Sequence, residues 1–265
     1  MNVVVVIQAR MGSSRLPGKV LMPLGGKPAI QQVVERARQI PGVTEVVLAT
    51  STSPGDDRLA AFCESIGATV VRGSENDVLD RYYQAARQAG ADVVIRVTGD
   101  CPLLDPQESG KVLRRLLVGD VDYVSNCHPA TYPDGLDTEA CTFAALERAW
   151  NEARSKAERE HVTLYLWRNP DRFRPANVAH ATDLSGLRLT LDEPKDHRLL
   201  AAVFDELGKR GQSGSLAEVL AVLAAHPEFV AMNADIGRDE GLARSLAEER
   251  QAGGAPPPKA KKAGP

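Results

Sequence analysis

The feature that most constrains this chain is the way short unbroken apolar runs alternate with amphipathic segments through its first half. Asn2–Gln8 (NVVVVIQ), Thr44–Ser51 (TEVVLATS), Ala68–Gly73 (ATVVRG) and Ala91–Gly99 (ADVVIRVTG) are runs of the first kind. Between them, Pro28–Ile40, Asp56–Gly67 and Asn76–Gly90 place apolar residues at helical spacing. Strands that lack polar alternation need both faces covered, which is the condition of a parallel sheet between two helical layers. The βαβα order therefore predicts an α/β fold: a doubly wound, mostly parallel sheet with helices on both faces, in a Rossmann-like three-layer arrangement.

After Asp105 the order loosens. A helix over PQESGKVLRRLLVG and a strand over Asp120–Asn126 precede a polar, Pro-broken stretch, CHPATYPDGLDTEACTF, read as an excursion from the sheet over 126–143. The segment from Ala144 to Asn169 reads as helical with a break near Ser155. Gly186–Gly208 reads as a strand followed by a helix opening near Pro194 and capped by Asp192. GSLAEVLAVLAAHP and RDEGLARSLAEERQ read as surface helices. One domain over 1–250 is expected, with a disordered Gly/Ala/Pro/Lys tail over 251–265.

At 265 residues the chain can bury a substantial core, and its formal charge of −3 argues against a broad nucleic-acid or anionic-membrane surface. The run Val3–Ile7 is too short for a signal-peptide core or a membrane span. Cys63, Cys101, Cys127 and Cys141 form no CxxC pair, so reduced, buried thiols and a cytoplasmic setting are expected.

The chemistry begins where the first strand ends, in QARMGSSRLPGKVLMPLGGKP. Gly12, Ser13 and Ser14 offer open backbone N–H groups and hydroxyls to phosphate oxygens. Arg10 and Arg15 can fork onto phosphates, Lys19 is a point charge, and Pro17 stiffens the loop. It is not a Walker A loop, because Val20 stands where the magnesium-binding hydroxyl belongs, and no GxGxxG opens a helix. A basic loop making only surface ion pairs is the plain alternative.

A second cluster, TGDCPLLDP, follows the strand that ends near Thr98. Asp100 is placed to hold a divalent metal beside the phosphate loop, whereas Asp105 reads as the N-cap of the helix opening at Pro106. Asp192, in RLTLDEPKD, reads either as a helix cap or as a second carboxylate for that metal.

IQARMGSSRLPGKVL, GGKP, TGDCPLLDP and LDEPKD together resemble the cytidylyltransferases that activate acidic sugars, including those making CMP-Kdo and CMP-sialic acid. GSENDVLDRY, DYVSN, PDGLDTE and REHVT resemble in particular the SpsF-type spore-coat polysaccharide branch, and the resemblance runs from about Val3 to Leu207. It implies that Gln8, Ala9, Arg10, Gly12, Ser13, Ser14, Arg15 and Lys19 wrap a nucleoside triphosphate. It further implies that Asp100 and Asp192 bind Mg2+, and that Arg72, Ser74, Asp77 and Arg81 lie near the nucleotide. Two positions depart from the sugar-acid pattern: Cys101 replaces an acid, and Arg96 replaces a neutral polar residue.

The reaction so implied is Mg-dependent transfer of CMP from CTP to an acidic sugar, sugar phosphate or phosphonate, with release of pyrophosphate. Lys19, Arg15 and Asp100 are the expected catalytic residues. Asp137, Glu139 and His161 are the acceptor-binding candidates, each with a plain structural alternative. A homodimer is implied, with the 126–143 excursion as its contact. The rival reading, a nucleotide-sugar-dependent glycosyltransferase of GT-A type, lacks its usual DxD, since GDCP offers one aspartate.

Overall fold

A computed structural model describes residues 1–238 and 240–251. The first part runs β1 (Val3–Gln8), β2 (Pro23–Leu24), β3 (Lys27–Pro28), α1 (Ala29–Ala37), β4 (Glu45–Ser51), α2 (Asp57–Ser65), β5 (Thr69–Gly73) and α3 (Val78–Gln88), the predicted order with a short hairpin, β2–β3, added. Then come β6 (Val93–Thr98), α4 (Pro106–Leu117), β7 (Tyr123–Ser125), β8 (Glu139–Thr142) and α5 (Phe143–Glu152). The chain continues through α6 (Lys156–Glu160), α7 (Leu164–Arg168), β9 (Pro175–Asn177) and α8 (Pro194–Lys209). It closes with α9 (Leu216–Ala225), α10 (Pro227–Ala231) and α11 (Glu240–Gln251).

Seven strands form the main sheet in the order β5-β4-β1-β6-β8-β7-β9. β5, β4, β1 and β6 run parallel, while β8 lies antiparallel between β6 and β7. The sheet is thus mostly parallel with helices around it. From β1 the chain winds outward to β4 and β5, then returns to the other side of β1 as β6. That reversal opens a crevice at the carboxyl ends of β1 and β6, where open α/β sheets bind ligands.

The β1 run earns both its faces. Val3, Val5 and Ile7 pack with α1, α2 and α4, whereas Val4 and Val6 pack with α3 and α5. A third apolar cluster joins Leu24, Leu103, Leu189 and Leu191 to α8 and α9.

Several expectations need correction. The 126–143 excursion is not all outside the sheet, because its last residues form β8. Four residues were too few to show a period, and their neighbours are polar. The apolar run before Asp192 forms no strand; it contributes only an isolated bridge between Asp134 and Arg188. Its leucines instead face the third cluster. β9 and the β2–β3 hairpin were not anticipated. α9 is more than a surface helix, since Leu216, Val219, Val222 and Leu223 are buried. Gln251 ends α11, and the rest of the expected tail lies outside the described residues.

Candidate active site

The phosphate-type loop is shaped by its own backbone. The N–H groups of Ser13 and Gly18 both donate to the Met11 carbonyl at 3.0 Å, and Gly18 closes the turn at φ +72°. Asp56, almost wholly buried, accepts from the Met11 N–H at 2.6 Å and from the Ser51 hydroxyl, pinning the loop to the end of β4. The sequence reading missed Asp56. Its signal was an acid just beyond the carboxyl end of a central strand.

The loop leads into a tight turn that buries Lys19 against the carboxyl end of β6. Lys19 Nζ donates to Asp100 Oδ2 at 2.7 Å and to Asp192 Oδ1 at 2.6 Å. Burial alone would lower the lysine's pKa, yet the two carboxylates raise it above its ordinary value. Burial alone would raise Asp100, but Lys19 overrides it and holds the carboxyl down to about 2. Gly99 lets the strands converge here: a Cβ on it would lie 2.7 Å from the Ala9 Cβ.

Asp192 proves not to be the cap. Glu193 occupies the N-cap of α8, and Asp196 accepts from the N–H groups of both Asp192 and Glu193 at 2.9 Å. This leaves the Asp192 carboxylate to Lys19, Arg15 at 3.2 Å and Arg188 at 3.4 Å. Asp105, by contrast, does cap α4. Arg188, absent from the sequence reading, is 8 % exposed and also pairs with Asp134 and Asp196, both at 2.9 Å. It is the post that fixes Asp192.

Arg10, Gly12 and Ser14 lie exposed on the loop, and Ser13 accepts from the Leu16 N–H at 3.3 Å. Ala9 is buried at the loop's root beside half-buried Gln8, whose Oε1 has no partner among the described residues. Arg10 reaches Glu75 at 3.5 Å, joining the loop to the one after β5. In that second loop the side chains hold the backbone. Arg72 donates to the carbonyls of Ser51 and Ser53, and Arg81 to those of Ser74 and Glu75. Ser74 accepts from the Asp77 N–H, while Asp77 caps α3 and pairs with Arg159 at 2.6 Å.

Beyond Asp100 lies a cavity of about 280 Å³, reached by Arg15, Arg96, His128, Asp137, Glu139, His161 and Asp192. Glu139 stands opposite Arg96 in the β6–β8 register and forms an ion pair with it. Tyr123 donates to the same carboxylate, as does Thr163 at 2.6 Å. Burial opposes ionisation of Glu139, but Arg96 outweighs it and the carboxyl falls to about 2. Glu139 therefore anchors Arg96 rather than standing as solvated surface. The His128 ring packs against Trp167 in a tilted pair, with the ring centroids 4.7 Å apart. Asp137 pairs with Arg238, and the His161 ring shares a hydrogen bond of 2.9 Å with Ser245.

The donor set suits a divalent cation at one place. Asp100 and Asp192, from different elements, both put a carboxylate oxygen within 2.7 Å of one cationic nitrogen, and magnesium needs only one or two carboxylates when phosphates supply the rest. Cys127, His128 and Glu139 also bring ligand atoms within 4.8 Å of one another. There, however, the Arg96 guanidinium already holds Glu139, and burial keeps the Cys127 thiol protonated by raising its pKa.

This sheet order, with the crevice beside β1 and β6 lined by a basic loop and two carboxylates, is the architecture of a nucleotidyltransferase. The profile of the family described as cytidylyltransferase matches residues 4–204. An uncharacterized protein of Methanocaldococcus jannaschii is 39% identical over 201 residues, covering 75% of this chain and 82% of its own. The spore coat polysaccharide biosynthesis protein SpsF of Bacillus subtilis is 32% identical, over 86% of this chain and 96% of its own. The solved structure of a cytidylyltransferase from Leptospira borgpetersenii superposes with a TM-score of 0.81 at 31% identity, covering 87% of this chain and 97% of that one. The chain belongs to the cytidylyltransferase family. Among the described residues no helix is long and apolar enough to cross a membrane.

Proposed function

We propose that this enzyme moves CMP from CTP to the oxygen of an acidic sugar, sugar phosphate or phosphonate, releasing pyrophosphate, in the cytoplasmic synthesis of a polysaccharide or glycan precursor. The observation that carries the reading is the Lys19–Asp100–Asp192 cluster at the root of the opening loop. Arg15 joins it at Asp192, and in this reading Arg10, Gly12, Ser13 and Ser14, earlier on the same loop, would cradle the triphosphate. Arg72, Ser74, Asp77 and Arg81 shape the loop after β5 that would border the nucleoside. The resemblance of GSSRLPGK and TGDCP to the sugar-acid cytidylyltransferases supports CTP and an acidic acceptor.

Asp100 and Asp192 would hold the divalent ion, magnesium in this reading. When bound, that ion neutralises phosphate charge and lowers the pKa of a coordinated hydroxyl. Lys19 would then turn from the aspartates to the phosphates, and with Arg15 offset the charge that gathers on the departing pyrophosphate. The acceptor would enter the cavity beyond Asp100, facing Arg96, His128, Asp137 and His161 with Glu139 holding Arg96 in place. Such positioning brings its oxygen in line with the α-phosphorus. A homodimer with residues 126–143 at the contact belongs to the same reading.

The test is pyrophosphate release with magnesium, each of the four NTPs in turn, and a panel of acidic sugars, sugar phosphates and phosphonates. Release with CTP that depends on one acceptor is the expected result. Equal release with every NTP, or none with any acceptor while a nucleotide-sugar binds, would overturn the reading.

A further inference from the structure

The chain beyond the family-matched residues 4–204 returns to the site and grips it. Glu240, the first residue of α11, pairs with Arg15 at 2.9 Å. Arg238 pairs with Asp137 and donates to the Tyr132 carbonyl at 2.9 Å. Ser245 meets His161 at 2.9 Å and Glu160 at 3.1 Å, and Glu249 accepts from the Ala157 N–H at 2.6 Å. Glu240, Gly241 and Leu242 line the same cavity as Asp100 and Arg96.

We infer that Arg238 and α11 act as a clasp that a nucleoside triphosphate must unlatch, with the Glu240 carboxylate standing on Arg15 where a phosphate belongs. Three observations converge. First, both terminal nitrogens of Arg15 already face carboxylates, one Asp192 and the other Glu193 at 3.3 Å and Glu240, so a phosphate that forks onto them must displace a carboxylate. Glu240 is the one to leave, because its side chain is 43 % exposed against 22 % for Asp192 and 27 % for Glu193. Second, α11 is held largely by polar contacts: Ser245 is the residue it buries fully, and its leucines Leu242 and Leu246 are only half-buried. A helix docked without fully buried apolar side chains detaches at low free energy. Third, the contacts it would release include Arg238–Asp137 and Ser245–His161, so unlatching changes the acceptor side as the nucleotide arrives. Triphosphate placed on Arg15 repels Glu240, which drives the release.

The inference rests on the CTP reading above, and the experiment separates the two. Full-length wild type and Glu240→Gln are titrated with CTP by calorimetry at low salt with magnesium, and amide hydrogen exchange of 241–251 is followed with and without CTP. E240Q is expected to bind CTP tighter by roughly two- to five-fold, the range of a partly exposed ion pair. CTP is expected to speed exchange in α11 of the wild type. Equal or weaker binding by E240Q, or exchange that CTP leaves unchanged or slows, overturns the clasp while leaving the CTP reading intact. Absence of CTP binding by both proteins overturns the CTP reading and the clasp with it.

Discussion

Replacing Lys19 by Met keeps the bulk of the side chain and removes the charge between Asp100 and Asp192. The lysine side chain is 11 % exposed, and the two aspartates are 24 % and 22 % exposed. Breaking a buried ion pair by deleting one partner costs about 3–5 kcal/mol. Here the loss is smaller, because Asp192 keeps Arg15 and Arg188 while Asp100 alone is orphaned. The expected loss is roughly 2–3 kcal/mol, or a fall in Tm of about 5–10 °C for a chain of this size. Magnesium should then raise the Tm of K19M more than that of the wild type, since the orphaned Asp100 carboxylate gains a cation instead of exchanging one. Pyrophosphate release should fall roughly 10²–10³-fold, as for other lost donors to transition-state charge. Thermal unfolding with and without magnesium, beside turnover, measures all three. A variant with wild-type Tm in metal-free buffer, or wild-type turnover, would refute the reasoning.

Three further outcomes are expected. Glu139→Gln leaves the Arg96 guanidinium buried without its carboxylate and should cost about 3 kcal/mol or more in urea unfolding, whereas the joint change R96M/E139Q should cost less than the two single changes added together. In the wild type the folded state holds Glu139 down to about 2, below its unfolded value near 4.3; its contribution is complete above about pH 4.5 and is lost as pH falls through about 2. Urea midpoints followed over that window should show this component in the wild type and its absence in E139Q. Gly135, at φ +98°, packs so closely that a Cβ would lie 2.4 Å from the Leu189 carbonyl carbon; Gly135→Ala should lose roughly 3 kcal/mol or more, seen as loss of soluble, folded protein by circular dichroism.

How much of this was legible in the sequence varied with the kind of signal. The parallel half of the sheet was readable because each strand is a solid apolar run bounded by glycine or a cap. The opening loop was readable because its glycines, proline and cations follow such a run at once. Asp192 was ambiguous, since an acid before Pro194 serves a helix N-terminus as naturally as a metal, and only the backbone geometry shows Glu193 taking the cap. β8 was hidden by its brevity, and its antiparallel direction follows from no local pattern. Neither Arg188 nor the C-terminal clasp could be foreseen. Arg188 looks like any charge in a polar stretch, and Glu240 meets Arg15 across 225 residues of sequence. An amphipathic pattern says that a helix docks, but not where.

The insertion of β8 beside β6 divides the crevice between two lineages of residues. In the proposed reading the phosphate side hangs on β1 and the end of β6, whereas much of the acceptor side is carried by the 126–142 segment, whose strand β8 joins the parallel strands at β6. On that reading, a change in that segment would alter which acceptor is taken without moving the opening loop. If the proposed function holds, acceptor specificity is better sought in β8 and its flanking turns than in the opening loop.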